Sequence, residues 1–261
     1  MANLFVVKKG TTMDFDISNM RHGSPEDTAI QALNYLNQNV LHHINMIESI
    51  KHNQAQIIHS DPHGVVMLDI PSETHMISCD SLSDYERLLQ GVDNMNECEV
   101  FQSWARGFVQ DKYHLTHKDT YVQAAYLSEY PHVIQNCDLN VRILVPSEDY
   151  PHVEKFYPAR DLSYVMSRLQ ANALFGGFIN QQIVGFIGIH DEGSIGLLAV
   201  VEEHRRKGYG VKLMNFMIRY FHEQHKIPYS QISESNKPSI LLHQKAGMQI
   251  SKEHVQWLKR D

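Results

Sequence analysis

Leu197-Leu198-Ala199-Val200-Val201-Glu202-Glu203-His204-Arg205-Arg206-Lys207-Gly208-Tyr209-Gly210-Val211-Lys212-Leu213 is the stretch whose reading decides the fold. Five apolar residues in a row, Leu197 to Val201, read as a buried strand. A short charged segment closed by Gly208 and Gly210 reads as a turn. From there Val211, Met214, Met217, Ile218 and Phe221 recur at helical spacing, so a helix is expected over 208–225. A strand feeding a glycine turn at a helix N-terminus is an anion site. The first backbone N–H groups of the helix lack internal partners and sit at the positive end of its dipole. A partner carrying phosphate is expected there.

The rest of the chain makes that cluster a local feature. Net charge is −7 over 261 residues, so bulk charge does not hold this protein on nucleic acid. With 43% hydrophobic and 20% charged residues the composition is globular. Seventeen histidines are present, but none shows the His-x-x-x-His helix pairing with nearby carboxylate or cysteine that a metal site needs, and no metal is expected. His42 and His43 are adjacent and would point different ways on a helix. Three widely spaced cysteines, Cys79, Cys98 and Cys137, argue against a disulfide framework and a zinc knuckle. The start of the chain has no signal-peptide pattern, and no apolar run approaches the roughly 20 residues of a membrane span. A cytoplasmic protein without membrane partner is expected.

Read in order, the sequence divides into two α/β halves, 1–130 and 139–261, with a boundary near Glu129-Tyr130-Pro131 and a loose segment at Asn136-Cys137-Asp138. In the N-terminal half a single helix is expected from a Ser24 cap and Pro25 to about Lys51. Strands come next at 55–59, 65–70 and 75–79, then a helix over 81–89, a strand over 100–109 and a short element over 121–127. In the C-terminal half a strand is expected at 141–145. Ser147 should cap a helix to Phe156, and a further helix carries Leu162, Val165, Met166 and Leu169. A hairpin turns at Asn180-Gln181-Gln182 between 173–179 and 183–190. After strand 195–201 and the long helix come strand 229–234, helix 238–246 ended by Gly247, and two short closing strands.

Two motifs in the C-terminal half resemble one family. Arg205-x-x-Gly208-x-Gly210, after a strand and opening a helix, is similar to the acyl-CoA signature of the GNAT N-acetyltransferases. Asn236-Lys237-Pro238-Ser239-Ile240-Leu241-Leu242-His243-Gln244-Lys245-Ala246-Gly247-Met248 resembles that family's second signature. The order of elements over 139–261 also fits, so the resemblance implies a mixed α/β GNAT fold there. It implies acetyl-CoA as acyl donor, with the amides from Arg205 through Gly208 and Tyr209 to Gly210 around the pyrophosphate and Arg206 and Lys207 adding charge. It further implies that Leu198, Ala199 and Val200 lie along the pantetheine arm, and that Asn236 contacts the arm besides capping its helix. An N–H near Val200 would face the thioester oxygen, an oxyanion interaction worth about 3 kcal/mol per donor. The glycine pattern fits neither a dinucleotide fingerprint, which needs glycine at Leu213, nor a Walker loop, which needs Gly-Lys-Ser/Thr.

The family commonly uses a carboxylate as base and a tyrosine as acid. The tyrosine position here is His243, a departure. His243 and Glu234 are the catalytic candidates; Glu202 and Glu203 read as rim charges, and His190 and Glu192 as weaker candidates at a hairpin end. The expected activity is acetyl transfer to a primary amine of a small molecule, amino acid or peptide. The alternative is a non-catalytic acyl-CoA-binding module, for which the missing tyrosine is the sign. Residues 1–130 carry neither signature, and no coenzyme A site is expected there. Gln123-Ala124-Ala125-Tyr126-Leu127 and the strand-rich middle resemble the degenerate first domain of tandem members. A homodimer is left open.

Overall fold

A computed structural model describes residues 25–129, 139–157 and 162–261. The expected Ser24 cap, the segment 130–138 with its boundary, and Cys137 lie outside the described residues. Among the described residues the N-terminal half runs α1 (Pro25–Leu36), α2 (Ile44–Lys51), β1 (Ala55–Asp61), β2 (Gly64–Asp69), β3 (Thr74–Cys79), α3 (Leu82–Leu88), β4 (Glu97–Val100), α4 (Arg106–Tyr113) and β5 (Thr116–Ala125). The C-terminal half runs β6 (Asn140–Ile143), α5 (Pro146–Phe156), α6 (Leu162–Gln170), β7 (Leu174–Ile179), β8 (Gln182–Ile189), β9 (Ile195–Val200), α7 (Tyr209–Glu223), β10 (Tyr229–Ser233), α8 (Lys237–Lys245) and β11 (Gln249–Lys259). This is a mixed α/β fold, as expected.

After β6, the C-terminal half repeats the order of the N-terminal one: two helices, three antiparallel strands, a helix, a strand, a helix and a last strand. Their last strands are exchanged. The large sheet runs β1-β2-β3-β4-β11-β5-β10, and the small sheet runs β6-β7-β8-β9. Strand β11 of the C-terminal half lies between β4 and β5 of the N-terminal half, pairing Gln256 with Val100 and with Thr120. Strand β5 in turn lies between β11 and β10, pairing Gln123 with Gln231. Each half therefore completes the sheet of the other.

Packing follows from strand alternation. On one face of the large sheet, α1 and α2 bury Leu36, Met46 and Ile47 against Met67, Met76, Phe101 and Val255. On the other face, Tyr85 of α3 and Val109 of α4 pack on Val66, Ile77, Val100 and Leu258. Further along, α7 brings Leu213, Met214, Met217, Ile218 and Phe221 onto Val122, Ala124 and Ile232, and onto Phe175, Val184 and Ile187 of the small sheet. Helices α5 and α6 cover the small sheet's opposite side with Val153, Val165 and Leu169. Each fully buried side chain of α7 contributes about 1.5–3 kcal/mol of transfer free energy, so this helix is the main fastener between the sheets.

Five expectations are corrected. The single helix over 25–51 breaks after Leu36 into a 3₁₀ turn, Asn37–Asn39, and restarts at Ile44. The break is held by tertiary bonds: His43 Nδ1–H donates to the Leu36 carbonyl (3.0 Å) and His42 Nε2–H to the Phe101 carbonyl (3.0 Å). The two rings lie side by side, centroids 4.9 Å apart, rather than on different helix faces. The strand over 100–109 ends at Val100; Ala105, Val109 and Tyr113 instead take helical i, i+4 spacing in the core, and His114 closes α4 in the left-handed region (φ 56°). Ser147 caps nothing, because Pro146 opens α5 and the Asp149 carboxylate accepts the Val145 N–H at 2.7 Å. The two closing strands are one, β11, kinked between Ile250 and His254. The β7–β8 hairpin turns as expected, with Asn180 and Gln181 both at positive φ, the signature of a type I′ turn.

Behind the centre of the sheet lies a buried polar cluster. Asn45 of α2 donates to Glu99 Oε2 (2.7 Å), Gln231 of β10 donates to Glu99 Oε1 (2.8 Å), and Gln123 of β5 donates to Asn45 Oδ1 (3.0 Å). It ties α2 and strands of both halves together. Burial pushes the Glu99 carboxyl up to about 8, against donors that favour the anion.

Two outcomes are expected. Neither half, expressed alone, should give a folded protein, and the whole chain should unfold in one transition by calorimetry and circular dichroism together; two separate transitions would contradict the exchange. Because the folded pKa of Glu99, about 8, lies above its ordinary 4.5, the stability it contributes is complete below 4.5 and lost as pH rises to about 8. Glu99→Gln should flatten the stability decline measured by urea denaturation between these limits; an unchanged slope would contradict this.

Candidate active site

The site forms where β9 and β10 meet. They touch, but no ladder joins them: β9 is the edge of the small sheet and β10 the edge of the large one. A bulge sets this up. Between the pairs Gly196–Gly188 and Ala199–Phe186, β9 has one residue more than β8, and Leu197 takes the left-handed region at φ 52°. A bulge bends its strand and re-aims the residues after it. Beyond it the Val201 N–H donates to the Val184 carbonyl on β8 (3.0 Å). Strand alternation then turns the Val200 N–H away from β8. Leu198, Ala199 and Val200 are half-buried along this edge.

The turn after β9 is a 3₁₀ turn, Glu202–His204, followed by Arg205 in extended and Arg206 in left-handed backbone (φ 61°). Gly208 is the N-cap of α7 at φ 85°, and no side chain caps this helix. Its first-turn amides thus keep their outward donors, and among the described residues no atom beyond its chain neighbours stands within 4 Å of where a Gly208 Cβ would be. Arg205, Arg206, Lys207 and Gly208 are exposed. Arg205 also folds back, its Nε–H donating to the Val200 carbonyl at 3.1 Å, which fixes the turn on the end of β9. Tyr209 is held edge-on by His204, with the Lys212 ammonium 5.2 Å from its ring centre. Gly210 is buried, and a Cβ there would come 2.7 Å from Leu242 Cδ1, so a glycine at this position also lets α7 approach α8.

Asn236 caps α8, accepting the Ser239 N–H on Oδ1 (3.2 Å). His243, one turn further on, is 4% exposed; its Nδ1–H donates to the Ser239 carbonyl at 2.7 Å. Its Nε2 is buried and unpartnered, and burial lowers its pKa. The ring is therefore neutral near neutral pH, with a bare acceptor. Glu234 stands exposed just past β10, 3.2 Å from His254 Nε2 of β11. His190 bonds the Tyr164 hydroxyl (2.9 Å), and Glu192 accepts from Ser194, so both stabilise the β8–β9 turn. Glu202 and Glu203 are exposed rim charges.

The N-terminal half has the matching junction between β3 and β4, and there it is closed. The strands pair in parallel from His75–Cys98 to Ile77–Val100. Beyond, the Gln102 side chain accepts the Cys79 N–H (3.0 Å) and donates to Ser78 Oγ (3.0 Å). Helix α3 is capped by Ser81, which accepts the Asp84 N–H. An acid thus occupies the helix N-terminus where α7 presents bare amides. Nothing in the sequence around Gln102 signals this, nor the left-handed Leu197.

With this geometry in place, comparison gives the class. Residues 140–248 match the model of the Acetyltransferase (GNAT) family, so the chain carries a GNAT acetyltransferase domain there. No curated protein matches the sequence. Solved structures share the fold. A Drosophila protein superposes with a TM-score of 0.59 at 16% identity, over 76% of this chain and 74% of its own. A GCN5-related N-acetyltransferase from Kribbella flavida gives 0.50 at 10%, over 84% and 95%. A tandem GNAT protein from the clavulanic acid biosynthesis pathway gives 0.47 at 13%, over 90% and 95%, too low a score to argue from. Among the described residues no group of three His, Cys, Asp or Glu is placed to hold a metal, and no helix is long and apolar enough to cross a membrane.

Gly208 is the sharpest probe of this site. Gly208→Val places a β-branched residue at φ 85° and a side chain over the bare amides. Its dissociation constant for coenzyme A, by calorimetry, should rise at least about tenfold, while circular dichroism stays native. Unchanged affinity would contradict the anion-turn reading.

Proposed function

We propose that the protein is an acetyl-CoA-dependent N-acetyltransferase acting on a primary amine. One observation carries this: an unpaired strand edge, β9, runs directly into an uncapped, exposed glycine turn inside the GNAT domain. Acetyl-CoA has the matching chemistry, an amide-bearing arm for the edge and a pyrophosphate for the turn. In this reading Leu198, Ala199 and Val200 bind the arm. The amides from Arg206 to Gly210 hold the pyrophosphate, with Arg206 and Lys207 adding charge, and Asn236 borders the arm from the start of α8. The catalytic domain is 139–261, and 1–130 is a degenerate copy without a cofactor site. The Gln102 closure and the Ser81–Asp84 cap support the latter.

The reaction is direct transfer. The amine nitrogen attacks the thioester carbon, and the Val200 N–H stabilises the oxyanion. The C–S bond breaks, the thiolate leaves, and the new ammonium nitrogen loses a proton to become the amide. Glu234, exposed just past the end of β10, is the proposed base. His243 is neutral and holds its Nδ1 proton on Ser239, so it is poorly placed to give a proton; the proton shed by the nitrogen reaches the thiolate through Glu234 or water. The free thiols of Cys79 and Cys98 fit the reducing cytoplasm as its location.

The neutral His243 at the acid position also favours the second reading, a non-catalytic acyl-CoA-binding module. Thiol release from acetyl-CoA over a panel of amines separates the two; binding without turnover on any amine supports the module. For the enzyme, Glu234→Gln should lower kcat by about a hundredfold and His243→Ala by less than about tenfold. A folded His243→Ala variant that loses a hundredfold or more would restore histidine as the acid.

A further inference from the structure

A cleft of about 530 Å³ opens in the N-terminal half, away from the β9–β10 edge. It lies at the C-terminal ends of β3 and β4, between the α1–α2 break and the kink of β11. This is the place in the N-terminal half that the β9–β10 junction occupies in the C-terminal one. Gln102 has closed the strand edge there, and Ser81 and Asp84 have filled the helix N-terminus, but the space beside them remains.

Its wall has a definite chemistry. Trp104 supplies aromatic surface, 54% exposed although its ring is held edge-on by Tyr85 (5.6 Å), and Phe101, 2% exposed, backs the wall. Asp80 and Glu253 supply two carboxylates, and among the described residues no lysine or arginine lines the cleft. Asp80 meets His63 on its outer side at 3.3 Å. His42 also lines the cleft and is 4% exposed. Its Nε2–H is committed to the Phe101 carbonyl, and its Nδ1, a buried acceptor, has no partner among the described residues. Burial lowers the pKa of both His42 and His43, so neither ring offsets the carboxylates near neutral pH. Carboxylates, fixed aromatic faces and an unsatisfied acceptor together suit a cation that carries N–H donors.

We propose that this cleft binds a small primary ammonium compound with a short apolar body, at a site separate from that for acyl-CoA. The ammonium lies between Asp80, Glu253 and the aromatic rings, and an N–H directed at the His42 ring satisfies Nδ1. His254, whose ring lines the cleft and pairs with Glu234, connects this ligand to the end of β10.

The test uses the full chain without acetyl-CoA. Phenethylammonium is the probe and 2-phenylethanol, nearly the same shape but uncharged, is the control; binding is read by calorimetry and by tryptophan fluorescence. The amine should bind, and the alcohol should bind at least about tenfold more weakly. Trp104→Leu and the double variant Asp80→Asn/Glu253→Gln, all at the surface, should each weaken amine binding about tenfold and leave coenzyme A affinity unchanged. Equal binding of amine and alcohol, no binding of the amine, or amine binding unaffected in both variants would overturn the proposal. Loss of coenzyme A binding in Gly208→Val with amine binding intact would show that the two sites stand apart.

Discussion

The rest of the structure depends on a ladder that does not form. Strands β9 and β10 come together without pairing, because the bulge at Leu197 bends β9 off the line of the large sheet. Exposed strand edges are costly in a folded protein unless water, a covering element or a ligand meets their donors and acceptors. Here α7 packs behind the junction and ties both sheets, so the gap cannot close by sliding. The glycine turn sits at its end for the same reason: the chain must leave β9 sharply, and Gly208 at φ 85° permits it.

The exchange of β5 and β11 supplies the opposing constraint. If each half kept its own last strand, β10 would be free to shift toward β9. Instead β10 is pinned through β5 to β11 and β4, and from its other face through Gln231 to Glu99 and Asn45. A buried carboxyl held neutral is a costly tie, but one that fixes three strands and a helix in one register. The N-terminal half thus serves the C-terminal one by holding one wall of the gap still, whatever it binds itself.

Much of this was legible in sequence. The strand–turn–helix at 197–213 carried its own period switch and its glycines, and the hairpin at Asn180-Gln181 and the α8 cap at Asn236 carried their turn chemistry. What was hidden was tertiary. The break in the first helix depends on His42 and His43 bonding carbonyls supplied by Phe101 and Leu36, and Val100 to Val109 has enough apolar residues to read as strand until Ala105, Val109 and Tyr113 are counted at helical spacing. No local pattern announces that β11 crosses into the other half, since strand pairing is a choice of partner and not of residue. At the site, the glycine pattern did not show that Gly210 also packs against Leu242, nor did the motif show that His243 is buried with its Nδ1 on the Ser239 carbonyl. In both cases the residue type was informative, and its surroundings decided the role.

The central claim is that only the β9–β10 edge and the turn before α7 take up acyl-CoA, the corresponding edge of the N-terminal half being closed by Gln102. Calorimetric titration of the intact chain with acetyl-CoA tests it most directly. The account predicts one molecule bound per chain. Two molecules per chain, or none at millimolar acetyl-CoA, would contradict it.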